Sequence, residues 1–136
     1  MISIVEKLKS IPNLCAIKGC STMQVKDAQK ELNLVFPEEY VDYVMEFGCI
    51  DFDSTEWTGL NIIGRLNTVN ATKKEQSVNS HFPTGFFVLE DLGIDAKKII
   101  VNESGKVYLL QYEKTEFVCN SISEYLDICI KRNEAK

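Results

Sequence analysis

The sequence predicts an α+β domain with N-terminal helices, a central antiparallel sheet and a C-terminal helix. Three observations carry this. Apolar residues recur with helical spacing up to Phe47 and again after Ser121. Between Trp57 and Asn120 the pattern changes to short apolar runs separated by turn residues. The chain has 136 residues, 45% of them hydrophobic and 26% charged, which is the size and composition of one globular domain covering residues 1–136.

In "ISIVEKLKSI", Ile4, Val5, Leu8 and Ile11 form one stripe of a helix that Pro12 stops. A second helix follows in "CSTMQVKDAQKEL", where Ser21 and Gln24 make a capping box and Val25, Ala28 and Leu32 form the buried stripe. Pro37 opens the third helix and Gly48 ends it. "WTGLNIIG" and "GFFVLE" read as short strands, with a polar helix in "NTVNATKKEQSVNSHF" between them. "KKIIVN", "KVYLLQYE" and "EFVCN" are three further strands, the first two joined by a turn at Gly105. "SISEYLDICIKR" is the last helix: Ser121 and Glu124 cap it, Ile122, Tyr125, Leu126, Cys129 and Ile130 face inward, and Lys131 and Arg132 meet the negative end of its dipole. Helices, then sheet, then helix exclude a βαβ arrangement.

The same residues exclude several functions. A net charge of −5 with no clustered basic surface argues against a nucleic-acid ligand. No apolar run is long enough to span a bilayer, and Glu6 interrupts what would have to be a signal peptide, so a cytoplasmic protein without a membrane partner is expected. Cys15, Cys20, Cys49, Cys119 and Cys129 lack CxxC spacing and read as reduced thiols, with Cys119 and Cys129 in the core and Cys15 and Cys20 able to be exposed. There is no phosphate loop, GxSxG or HExxH, and His81, the single histidine, reads as a loop residue. Glu90 and Asp91 read as a solvated turn. No catalytic residue, metal site or cofactor is expected.

What stands out is acidity. Between Lys30 and Arg65 no basic residue occurs, while Glu31, Glu38, Glu39, Asp42, Glu46, Asp51, Asp53 and Glu56 all do; without these eight the net charge would be +3. On a helix, Glu38, Glu39, Asp42 and Glu46 fall within an arc of roughly 100°. Like charges at i,i+4 cost about 0.2–0.5 kcal/mol each. In the following loop, "CIDFDSTEWTG", Asp51, Asp53 and Glu56 alternate with Ile50, Phe52 and Trp57. Aromatics among carboxylates suit a partner-binding surface, although Trp57 can equally pack at a sheet edge where "WTGLNIIG" begins. The expected partner-binding residues are therefore Glu38, Glu39, Asp42, Glu46, Asp51, Asp53, Glu56 and Trp57.

Phe36-Pro37-Glu38-Glu39-Tyr40 opening the third helix, Gly105-Lys106-Val107-Tyr108 in a strand and Ser121 through Leu126 in the last helix make the chain resemble the SUKH superfamily, which comprises bacterial immunity proteins and related eukaryotic cell-wall regulators. "FGCIDFD" stands where many relatives have Asn-Gly-Gly, and "DLGIDAKK" where many have a Gly/Asp-rich loop. The resemblance implies a single SUKH-like immunity domain. It would be a non-enzymatic antitoxin that binds and silences the nuclease domain, in particular an RNase domain, of a cognate polymorphic or LXG-type toxin encoded beside it. The alternative it leaves open is an interaction or regulatory module without a toxin partner. A nuclease gripping RNA presents a basic cleft, which would account for the carboxylates.

Overall fold

The computed structural model describes residues 2–134. Helix α1 (Ile4–Lys9) starts at Ser3, whose hydroxyl accepts from the Glu6 N–H. Strand β1 (Cys15–Ala16) follows, and then α2 (Thr22–Leu32), opened by the expected reciprocal box between Ser21 and Gln24 and closed by Asn33 in the left-handed conformation. Helix α3 (Glu38–Phe47) begins at Pro37 and stops at Gly48. There φ is +70°, and a Cβ would lie 2.4 Å from the Lys18 carbonyl oxygen, so only glycine fits. Strands β2 (Ile50–Phe52) and β3 (Thr55–Glu56) form a hairpin, and β1 joins β2 to complete a three-stranded antiparallel sheet.

Helix α4 (Thr68–Val78) is capped by the Asn67 side chain. Then β4 (Phe86–Asp91), β5 (Lys97–Asn102), β6 (Val107–Gln111) and β7 (Lys114–Cys119) run as a four-stranded antiparallel meander. Helix α5 (Ile122–Glu134) closes the described chain, and its first four donors are all satisfied. The Ile122 and Ser123 N–H groups donate to the Glu39 carboxylate, the Glu124 N–H to Ser121 Oγ and the Tyr125 N–H to the Ser121 carbonyl. Lys7 ties α1 to the same turn through Ser123 and Asp127.

The period of two along the meander sends Phe87, Leu89, Ile99, Val101 and Val107 into the main core with Leu8, Tyr40, Tyr43, Val44, Tyr125 and Leu126. Val88, Ile100 and Leu110 form a second cluster on the opposite face, together with Ala71 of α4 and the rings of Phe82, Phe86 and Tyr108. Helix α1 packs chiefly on α3 and α5. The two edges of the meander differ. Along β4, Thr72 Oγ1 accepts from the Val88 N–H, the Thr58 hydroxyl donates to the Val88 carbonyl and the Thr58 N–H to the Leu89 carbonyl. Along β7 no such partner exists among the described residues.

One strand is misplaced by the sequence reading. "WTGLNIIG" is an irregular segment, and β2 and β3 lie earlier, in what reads as a loop. The reason is a close backbone approach: a Cβ on Gly59 would lie 2.0 Å from the Gly48 carbonyl oxygen, which accepts instead from the Leu60 N–H at 2.9 Å. Cys15 is exposed, whereas Cys20 is buried with Cys49, Cys119 and Cys129. Burial pushes the Cys129 thiol up to about 12 and the Cys49 thiol up to about 11, so neither is a ready nucleophile.

Leu126 is wholly buried between α5 and the sheet. Leu126→Ala should therefore lower the unfolding free energy by about 2–5 kcal/mol in urea titrations.

Candidate protein-binding surface

Helix α3 buries Tyr40, Tyr43, Val44 and Phe47, which forces its carboxylates to the other side. They do not form one free ridge. Glu39 turns toward α5 and accepts from the Ile122 and Ser123 N–H groups at 2.8 and 3.1 Å, a favourable place for a negative charge at a helix N-terminus. Glu46 pairs with Lys9 at 3.3 Å, Glu56 with Arg65 at 3.1 Å, and Glu31 with Lys73. The bases missing from this stretch of sequence thus arrive from other stretches. Asp53 holds a positive φ in the β2–β3 turn and accepts from the Asn13 amide. Glu38, Asp42 and Asp51 are exposed, with no ion pair among the described residues.

The three-stranded sheet organises the rest. Ile50, Phe52 and Thr55 point inward, while Asp51 and Glu56 point out and sit directly opposite one another in the register. Like charges in that relation destabilise a sheet. Arg65 relieves Glu56 alone, so Asp51 is left unneutralised beside it. The field of this pair also reaches the Cys49 thiol, adding to the effect of burial on its pKa.

Trp57 requires a correction. The side chain is 0% exposed, packed edge-to-face on Tyr43 at 5.5 Å and stacked with Tyr125 at 6.2 Å, so it is not a surface anchor. Phe52 and Ile50 are buried with it. The alternation of aromatics and carboxylates in "IDFDSTEW" is the in–out alternation of a half-buried hairpin. That alternation was the available signal for β2 and β3.

Glu90 is the second correction. Far from lying in a solvated turn, it is 3% exposed, because a bulge between Val88 and Glu90 lets Leu89 and Glu90 both face inward. Its carboxylate accepts from the Tyr125 hydroxyl and from Arg132 Nη2 at 2.9 Å, and the same guanidinium nitrogen donates to Thr55 Oγ1 at 2.9 Å. Burial raises the pKa of Glu90 above the usual carboxylate range, and the Tyr125 hydroxyl and Arg132 oppose that shift. Arg132, read from the sequence as a complement to the helix dipole, is the clamp that fastens α5 to β4 and the hairpin.

A cleft of about 300 Å³ lies beside Glu56 and Arg65, under α4 and against β4 and β5. It carries both signs of charge, with Lys98 held 3.6 Å from Glu75 and 3.5 Å from Asp91. His81 is exposed in the loop after α4. Among the described residues, no group of three or more His, Cys, Asp or Glu is placed to hold a metal ion, and no helix is long and apolar enough to cross a membrane.

No curated protein matches the chain. The SUKH_6 family, described as SMI1-KNR4 cell-wall, matches residues 22–126, from the first residue of α2 to the buried Leu126 of α5. With five helices and two antiparallel sheets among the described residues, in the order found here, and a match over most of its length, the chain belongs to this SMI1-KNR4 branch of the SUKH superfamily.

Proposed function

We propose that the protein is an immunity protein, an antitoxin of the cytoplasm that binds and neutralises the nuclease domain, in the sharpest form an RNase domain, of a polymorphic or LXG-type toxin encoded next to it. Membership of the SUKH superfamily supports the class, and the chain's motif order resembles that of the Bacillus antitoxin YobK. The observation that carries the reading is Asp51 directly opposite Glu56 on an exposed face, an arrangement that costs stability and that a basic partner would relieve. Glu38 and Asp42 on α3 are the other exposed carboxylates of this tract with no ion pair among the described residues. Neutralisation works by occluding the basic cleft and requires no proton transfer, so His81→Ala should protect as well as the wild type in co-expression with the toxin.

The charge reversal Asp51→Lys with Glu56→Lys should slow association with the toxin domain by about tenfold or more, with little effect on thermal stability. Wild-type association should itself slow as salt rises, since the Debye length is only about 8 Å at physiological ionic strength. The pair Glu38→Lys with Asp42→Lys tests α3 in the same way. Unchanged rates in both variants would place the interface elsewhere. Failure of the wild type to rescue growth against the adjacent toxin would reject the immunity function.

A further inference from the structure

The edge of the meander at β7 is open where the edge at β4 is closed. Gln111 and Lys114 flank a two-residue turn as directly opposed partners, so they exchange the close pair of ladder hydrogen bonds. Alternation then turns the N–H and C=O of Thr115 and Phe117 away from β6. Nothing among the described residues meets them. The bulge that blunts this strand lies beyond Phe117, between Val107 and Tyr108, and leaves the stretch from Lys114 to Phe117 regular. Phe117 remains 50% exposed, at the outer end of a row of edge-to-face rings running through Tyr108 to Phe86.

We propose that this edge pairs with the same edge of a second copy, β7 against β7 about a two-fold axis at Thr115, extending the meander into an eight-stranded sheet across two chains. The charges select both the occupant and the register. In an antiparallel pair centred on Thr115, Lys114 of each chain stands directly opposite Glu116 of the other, and symmetry makes the contact twice. Moving the axis to position 116 would set Glu116 against its own copy. An axis between residues would bring inward-facing backbone groups against outward-facing ones and lose the ladder. Of the two registers centred on 115 and on 116, both of which pair outward hydrogen-bonding groups, only the one centred on Thr115 also pairs opposite charges. Phe117 loses solvent exposure in the process. A short edge of this kind gives a weak, reversible dimer, well below the area of a permanent interface.

Sedimentation equilibrium over a dilution series should show wild-type mass rising from 15.4 kDa toward twice that value. Lys114→Glu and Glu116→Lys, each alone, put like charges across the axis and should weaken self-association about tenfold or more. The two single variants mixed should form heterodimers, and the double swap Lys114→Glu with Glu116→Lys should restore the homodimer. Thr115→Pro removes an outward N–H without touching the β6 ladder and should leave a folded monomer. A wild type that stays at the mass of one chain at every concentration would overturn the proposal and leave the edge to solvent or to a strand of another protein. Single charge variants that associate as strongly as the wild type would overturn it too.

Discussion

Trp57→Ala should cost about 3–5 kcal/mol of folding free energy, read by far-ultraviolet circular dichroism in a urea titration. The indole fills the space between Tyr43 and Tyr125, so its removal strips contact area from α3, α5 and the hairpin at once. Much of a marginal domain's stability would go with it. Trp57→Phe should behave differently. The buried indole N–H meets no oxygen or nitrogen acceptor among the described residues and has only the Cys129 sulfur, a weak acceptor, near it, so it carries part of the penalty of about 1–3 kcal/mol for an unsatisfied group. Phenylalanine leaves a small cavity but removes that penalty, so the two terms oppose and the net change should be far smaller than for alanine. Lost toxin binding in Trp57→Ala should track lost folding, whereas a folded Trp57→Phe should bind normally.

Arg132→Ala should cost about 3–5 kcal/mol at neutral pH, because it leaves the Glu90 carboxylate buried without its countercharge. The dependence on pH is the sharper test. Burial already raises the folded-state pKa of Glu90 above its ordinary 4.5, and Arg132 holds that rise in check. A raised folded pKa means that the folded chain keeps the proton more tightly than the unfolded chain does. The associated stability is complete below the unfolded value and is lost as pH rises through the folded one. Without Arg132 the folded value moves further up and the loss becomes larger. The difference between wild type and variant should therefore be smallest below pH 4.5 and widen toward neutrality. A difference independent of pH would mean that Arg132 acts by packing alone.

The elements that the sequence made legible are those whose signals are local. The Ser21 and Gln24 box, the Gly48 stop and the Gly105 turn depend on neighbours within a few residues, and each forms where its pattern lies. The polar helix over Thr68–Val78 follows from the Asn67 cap. What escaped was set by distant partners. Glu90 becomes a buried clamp only because Arg132 and Tyr125, on a helix about one-third of the chain away, reach it. Glu39 becomes a helix cap only through Ile122 and Ser123. "WTGLNIIG" has a strand's composition and is kept from a ladder by the contact of Gly59 with Gly48, which no periodicity encodes. The acidic tract was visible as composition. Its division into paired residues and the unrelieved Asp51 depended on Lys9, Arg65 and Lys73 arriving from elsewhere.

The hold of Glu39 and Lys7 on the first turn of α5 has a kinetic side. Those contacts join positions 83, 84 and 116 residues apart, whereas successive strands from β4 to β7 are joined by short turns. Closing the long loops costs chain entropy before any contact repays it, so the meander is the natural nucleus and α1, α3 and α5 lock together late. Substitutions within β5 and β6 should accordingly slow refolding, while those at Glu39 and Lys7 should leave refolding nearly unchanged and speed unfolding. The helical layer that carries Glu38 and Asp42 would be the last part to assemble and the first to open, so how long the α3 acidic face persists is set by the unfolding rate as much as by equilibrium stability.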